Sequence, residues 1–456
     1  MTRGRPSLMR VARGVLGGAA VALVLGAAPP DALSDAPPDA PPDASSDAPP
    51  NAPPNALPGA LSSVPVSAPA SAPVPPPASP SGADPSPAPT VPSVEPLDPA
   101  LRTRFKLAES YTQVVRVGAF PIVGSARVEP AALREAASIV LGMLPGRTDV
   151  LDALAAGRVR LAVMAHDEFT TDVPEHADLK PAAYWDRRAR GLGATRARPA
   201  VTCGEENLLQ LNGDPYAAES ILVHEFAHAI HQMGINRLDP TFDRRLEATY
   251  DRAMTAGRWT GTYASTNRHE YWAEAVQSYF ETNRQDDAEH NHVNTRAELR
   301  AYDPDMFALV DEVFRGNPWR YTLPAARPNA AHLAGFDRSN APSFAWPERV
   351  LAAWRAHQQI DREALPATRA AAGKTPPSSR SGGAATDIRF ENRTDASLRL
   401  MWIDTVGLAR DFGWLRAAST RDQATFAGHT WVVMDANGAA VLWFVAGDRP
   451  GSATIE

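Results

Sequence analysis

Apolar and polar positions follow different rhythms along the chain. From Leu133 to Leu144 the apolar positions recur with a helical period, and Glu129-Pro130 just upstream is a start signal, so a helix is predicted there. Val159 to Ala165, after Gly157, is a short apolar run of strand length. Val201 to Leu211 contains a second strand and ends in the turn Asn212-Gly213. Residues 214–234 carry their own punctuation for a further helix. Asp214 suits the N-cap, Pro215 the first helical position, and Gly234 the left-handed residue that closes it. Ile221, Leu222, Phe226, Ala229 and Ile230 give that helix an apolar back with which to sit inside a domain. Asn267 is an N-cap for another helix, and Pro347 to Gln359 reads as one more.

The texture changes after Ala372 to Ala384, a stretch that is a linker by composition. Short apolar runs follow at Ile388–Phe390, Leu398–Ile403, Thr425–Phe426, Trp431–Val433 and Val441–Val445. Turn signals separate them at Asn392–Asp395 and Ala436–Gly438. Strands of this length and spacing predict an all-β sandwich of about 70 residues.

The first hundred residues differ again. Arg3, Arg5, Arg10 and Arg13 precede the apolar run Val15 to Leu25 and the small residues Gly26-Ala27-Ala28, which reads as an export signal over residues 1–28. An uncleaved anchor is the alternative, but the run is shorter than the roughly 20 residues a span needs. No cysteine follows it, which speaks against a lipid anchor. Residues 29–99 hold 24 of the 43 prolines and no Lys or Arg, so residues 29–100 are expected to be a disordered Pro/Ala-rich tether. That segment accounts for most of the net charge of −7, and the remainder is nearly neutral. The acidity therefore says little about partners, and nucleic-acid binding is not indicated. With one cysteine, Cys203, no intrachain disulfide can form; its setting reads as a strand end rather than a nucleophile.

The chemistry centres on His224-Glu225-Phe226-Ala227-His228. Positions i and i+4 on a helix share a face, so the two imidazoles can grip one metal ion while Glu225, offset by one residue, reaches a water beside it. A third ligand is sought downstream, where Glu270 and Glu274 stack at i, i+4 on the helix after Asn267. Two carboxylates so placed repel, and a cation beside them is the natural resolution. Glu270 is assigned as the ligand and Glu274 as the acceptor that fixes a ligand histidine, with the reverse order left open. His231 is read as a cap of the helix's last turn.

Taken together, His224-Glu225-Phe226-Ala227-His228-Ala229 and Tyr263-x-x-Thr266-Asn267-x-x-Glu270-Tyr271-Trp272-Ala273-Glu274-Ala275 resemble the catalytic domain of anthrax toxin lethal factor and its metalloprotease relatives, over about residues 200–315. The resemblance implies a zincin-like α+β fold, zinc on the first glutamate of the second motif, and a transition-state-stabilising tyrosine at Tyr263. The toxin's other domains have no counterpart, so its substrates do not carry over.

The C-terminal module is similar to the β-domain of the von Hippel–Lindau tumour suppressor. The residues that carry this are Phe390-Glu391-Asn392-Arg393-Thr394, Trp402-Ile403-Asp404 and Thr425-Phe426-Ala427-Gly428-His429-Thr430-Trp431. The resemblance implies a groove for a hydroxyproline-containing peptide, with Thr425 and His429 on the hydroxyl and Trp431 as a wall. Phe412 and Phe426 stand where the family has tyrosines, and the family's helical ligase-recruiting domain is absent.

The expectation is thus a zincin-like metallopeptidase domain over 101–330, a helical extension and linker over 331–385, and a β-sandwich over 386–456. The expected function is an exported, one-Zn²⁺ metalloendopeptidase. Glu225 would be its general base, Tyr263 its oxyanion donor, and His224, His228 and Glu270 its ligands. Its partners would be a protein or peptide substrate and, through the sandwich, proline- or hydroxyproline-rich protein, with no stable membrane span once the signal is removed. Rival readings are an inactive scaffold acting as an adhesin or peptide-binding protein, and metal-assisted hydrolysis of a non-peptide bond.

Overall fold

The computed structural model describes residues 91–456, apart from positions 288, 328, 372 and 373. The expected export signal and most of the Pro/Ala-rich segment lie outside the described residues. The apolar runs line up as one mixed sheet: β1 (Glu95–Pro96), β2 (Gln113–Val117), β3 (Phe120–Gly124), β4 (Arg160–Met164), β5 (Gly191–Leu192) and β6 (Ala200–Gly204), in the order β1-β2-β3-β4-β6-β5. β3, β4 and β6 run parallel and are buried at every position, as strands covered on both faces must be. β5 returns antiparallel to β6 and forms the sheet's edge.

The folded part begins earlier than composition indicates. Glu95 and Pro96 pair with Val114 and Gln113. The Asp98 carboxylate accepts from the Ala100 and Leu101 N–H groups and caps α1 (Pro99–Phe105). Disorder therefore does not extend to residue 100: strand pairing and a helix cap override the proline content.

The helices that follow are α2 (Pro130–Met143), α3 (Thr148–Ala156), α4 (Ala182–Arg188), α5 (Glu205–Leu209), α6 (Ile221–Ala229), α7 (Asn236–Leu238), α8 (Phe242–Thr255), α9 (Arg268–Phe280), α10 (Arg296–Tyr302), α11 (Pro304–Phe314) and α12 (Glu348–Gln358). α6 starts later than expected and does not end at Gly234. A π-helical turn, Ile230–Ile235, carries it on into α7, and Gly234 lies where a Cβ would sit 3.0 Å from Val150 of α3. Close helix packing, not a left-handed cap, is the reason for that glycine. One core joins Phe120, Leu161 and Val201 of the sheet to Leu133 of α2, Leu222 and Phe226 of α6, and Trp272 and Val276 of α9. Burying each such side chain contributes about 1.5–3 kcal/mol, and the arrangement leaves α6 between the sheet and α9.

The C-terminal part is a sandwich of two sheets. Its strands are β7 (Glu363–Ala364), β8 (Thr368–Arg369), β9 (Ala385–Asn392), β10 (Leu398–Ile403), β11 (Ala409–Leu415), β12 (Ser419–Phe426), β13 (Thr430–Met434), β14 (Ala440–Val445) and β15 (Gly451–Ile455). The sheet orders are β11-β10-β13-β14-β8 and β12-β9-β15-β7, closing over Ile388, Phe390, Leu400, Trp402, Trp431, Val433 and Phe444. β7 and β8 come from the segment expected to be extension and linker. Within the same segment Ser379 is buried, and its hydroxyl accepts from the Thr430 N–H at 2.9 Å. The stretch before β9 is thus strapped onto the sandwich by backbone bonds that composition does not reveal. β11 and β12, one edge from each sheet, face the first part: Ala424 packs with Tyr184 and Leu192, and Trp414 against the main core. Among the described residues no helix is long and apolar enough to cross a membrane.

Candidate metal centre

The start of α6 is set from outside the helix. Ser220 is its N-cap, accepting from the Val223 N–H at 3.4 Å. The Asn207 side chain accepts from the Ile221 N–H at 2.9 Å while its amide donates to the Tyr216 and Glu219 carbonyls and to Asp214. Asp214, the expected N-cap, instead accepts from the Tyr216 N–H two residues on. Tertiary bonding therefore moves the helix start six residues past Pro215.

One turn apart on α6, His224 and His228 point the same way, with Nε2 atoms 3.2 Å apart. Asn267 caps α9 by accepting from the His269 and Glu270 N–H groups, and so places Glu270 in the first turn facing α6. Trp272 of α9 donates its indole N–H to the Ala227 carbonyl and locks the two helices together. The Glu270 carboxylate lies 3.0 Å from His224 Nε2 and 3.4 Å from His228 Nε2. All three side chains are essentially inaccessible.

These separations can be tested against a resident cation. Tetrahedral ligands about 2.0–2.1 Å from a zinc ion stand about 3.3 Å apart, close to all three distances. The second Glu270 oxygen, Oε1, is buried without a hydrogen bond. Burial alone presses the His224 imidazole pKa down, yet Glu270, with Glu225 and Glu274 behind it, lifts it to about 10. The donor set calls for positive charge, and two imidazoles with one carboxylate suit zinc.

The surroundings differ from expectation in one respect. His224 Nδ1 bonds Gln277 Oε1 at 2.7 Å, whereas Glu274 Oε1 stands 3.5 Å away. Gln277, one turn after Ala273 on α9, is the closer orienting partner, and no feature of the sequence singles it out. Glu274 turns instead toward Asn283 (3.0 Å) and His290 (3.3 Å). Burial raises its pKa, but His290 and His224 outweigh this and hold it at about 2. Glu225 is wholly buried and lies beside the sheet edge. A Cβ added to Gly193 would sit 2.9 Å from the His228 Cβ and 3.5 Å from Glu225 Oε2. Tyr263 begins a 3₁₀ turn, Tyr263–Ser265, and its ring centroid is 6.2 Å from that of His224.

The remaining candidate residues resolve differently. His231 is fully buried and bonds Asp243 at 3.1 Å, so it serves the packing of α8 rather than capping a helix end. Cys203 sits inside β6, where burial pushes its thiol pKa up. Thr425, His429 and Trp431 do converge, but inward. The Trp431 indole donates to the Thr425 hydroxyl at 2.9 Å, that hydroxyl lies 3.3 Å from His429 Nδ1, and all three are shut from solvent. Trp402 and Phe412 pack around them. The three side chains that the resemblance places around a peptide hydroxyl are thus buried in this arrangement.

No curated protein matches the chain. Residues 378–445 match the family model of the VHL beta domain, so the chain is a mixed α+β protein that carries a VHL-type β-domain at its C-terminal end.

Proposed function

We propose that the chain is an exported zinc metallopeptidase of the zincin type, resembling the catalytic domain of anthrax toxin lethal factor, with a protein or peptide as substrate. What carries the reading is the approach of His224, His228 and Glu270 Oε2 within 3.4 Å of one another, from two helices, in a buried site that also holds Glu225. The three side chains would hold one zinc ion, which when bound polarises a scissile carbonyl and acidifies water. Glu225 takes the proton of the attacking water and returns it to the leaving amine. Tyr263 donates its phenol to the oxyanion of the tetrahedral intermediate. Gly191 of the edge strand β5 and Gly193 just after it lie close against α6, and an extended peptide substrate is assigned to this edge of the sheet.

The test is zinc content together with cleavage of a peptide library by the full chain and by Glu225→Gln. One zinc per chain in both, with cleavage only in the unsubstituted protein, is expected. Cleavage retained at full rate by Glu225→Gln would refute the mechanism. Zinc bound without peptide cleavage would point to the scaffold or to a non-peptide bond.

A further inference from the structure

The turn that carries Tyr263 is poor in regular structure. Trp259 and Gly261 both take left-handed backbone conformations, and only a 3₁₀ turn follows before α9 begins. Its anchors come from two sides. From the first part of the chain, the Trp259 indole donates to Asp303 at 2.9 Å, the Tyr250 hydroxyl donates to the Ser265 carbonyl at 2.8 Å, and the Tyr263 N–H donates to the Glu289 carbonyl at 2.6 Å. From the β-domain, the Arg416 guanidinium donates to the Gly261 carbonyl at 2.8 Å and to the Thr262 carbonyl, and the Trp414 N–H donates to the Thr266 carbonyl at 2.6 Å. Gly413, at φ +81°, lies so close to Thr266 that a Cβ would come within 2.1 Å of its carbonyl oxygen. The β-domain therefore grips this turn on both sides of Tyr263. Arg416, Trp414, Tyr263 and Thr266 also line one cavity of about 620 Å³ between the two parts.

We propose that Arg416 is a positioning residue of the metal centre: by clamping the two carbonyls before Tyr263 it fixes the phenol over the site, which makes the β-domain a working part of the hydrolytic machinery. This rests on the peptidase reading for its effect on turnover, but the clamp itself does not. A planar guanidinium reaches two carbonyls at once, which a lysine ammonium on a flexible stem does not reproduce. A displacement of the phenol by about 1 Å is enough to cost a large part of its contribution to turnover.

The experiment compares the zinc-loaded full chain with Arg416→Ala, Arg416→Lys, Tyr263→Phe and Arg416→Ala/Tyr263→Phe. Arg393→Ala, an exposed change elsewhere on the β-domain, is the control. Expected is a loss of kcat of about 10- to 100-fold in Arg416→Ala with zinc content unchanged and KM within about threefold, partial recovery in Arg416→Lys, and a double variant no slower than Tyr263→Phe alone. Losses that multiply in the double variant, or a change confined to KM, would overturn the proposal. Amide hydrogen exchange is read in parallel. Faster exchange over residues 261–267 in Arg416→Ala is expected, and unaltered exchange sinks the clamp. If the unsubstituted protein cleaves nothing, the peptidase reading falls, and the exchange result alone decides whether Arg416 holds the turn.

Discussion

Replacing Gln277 by leucine should loosen the metal without touching a ligand. The side chain is wholly buried, and its Oε1 accepts from His224 Nδ1 at 2.7 Å. Its amide donates to Glu219 Oε2 and to the Ser220 carbonyl, both at 3.3 Å, which ties α9 to the N-cap of α6. Leucine fills similar space but leaves the imidazole N–H without its acceptor, and the next oxygen, Glu274 Oε1, is 3.5 Å away. Losing such an orienting partner typically weakens metal binding by about 10- to 100-fold, or about 1.4–2.7 kcal/mol. The stranded polar groups cost a further 1–3 kcal/mol, roughly, of fold stability. Competition with a chromogenic zinc chelator measures the first quantity, and urea unfolding of the metal-free protein measures the second. Glu274→Gln, measured alongside, should weaken zinc binding less. If it weakens binding more than Gln277→Leu does, Glu274 is the orienting group after all and the geometric ranking of the two is wrong.

Gly193→Ala should push β5 off α6, because its Cβ would lie 2.9 Å from that of His228; about 1–3 kcal/mol of stability is lost, and peptide KM rises more than zinc affinity falls. Urea unfolding and steady-state kinetics read the two effects, and an unchanged KM would remove β5 from substrate binding. His176 is buried with neither ring nitrogen hydrogen-bonded, and burial presses its pKa from 6.5 to about 4. Its folded pKa is depressed, so its contribution is complete above pH 6.5 and is lost as the pH falls toward 4. Relative to His176→Gln, the unsubstituted protein should lose about 3 kcal/mol over that window, and parallel stability curves would refute this.

How far the chain can be read from its residues depends on how local each signal is. The i, i+4 histidines, the Asn267 cap and the strand Leu398–Ile403 are set by neighbours within a turn or a pleat: the histidines fall on one face of α6, and α9 and β10 begin where expected. The start of α6 escapes a local reading because its organiser, Asn207, lies 14 residues upstream of the N–H it holds. Gln277 is invisible because its partner is 53 residues away and a glutamine on a helix carries no mark of its own. β11 hides behind Arg410, Asp411 and Gly413, which break the apolar alternation. β15, a run of small residues, is held by parallel pairing with β9 about 60 residues earlier.

The inward-facing trio of the β-domain bears on what that module does here. A hydroxyl, an imidazole and an indole are costly to bury unless they bond one another, and Thr425, His429 and Trp431 do so beneath Trp402 and Phe412. A phenylalanine at 412 adds an apolar ring to that packing, with its centroid 4.8 Å from that of Trp431, where a phenol would bring a hydroxyl in need of a partner. Other polar groups of the same module, on β11 and just after it, reach outward toward the first part of the chain. Arg416 meets the Tyr263 turn, and Asp411 bonds Arg399 at 2.6 Å and lies 3.7 Å from Arg268 at the start of α9. The face turned to the candidate metal centre thus carries charge and a backbone donor of the β-domain, while Thr425, His429 and Trp431 are buried.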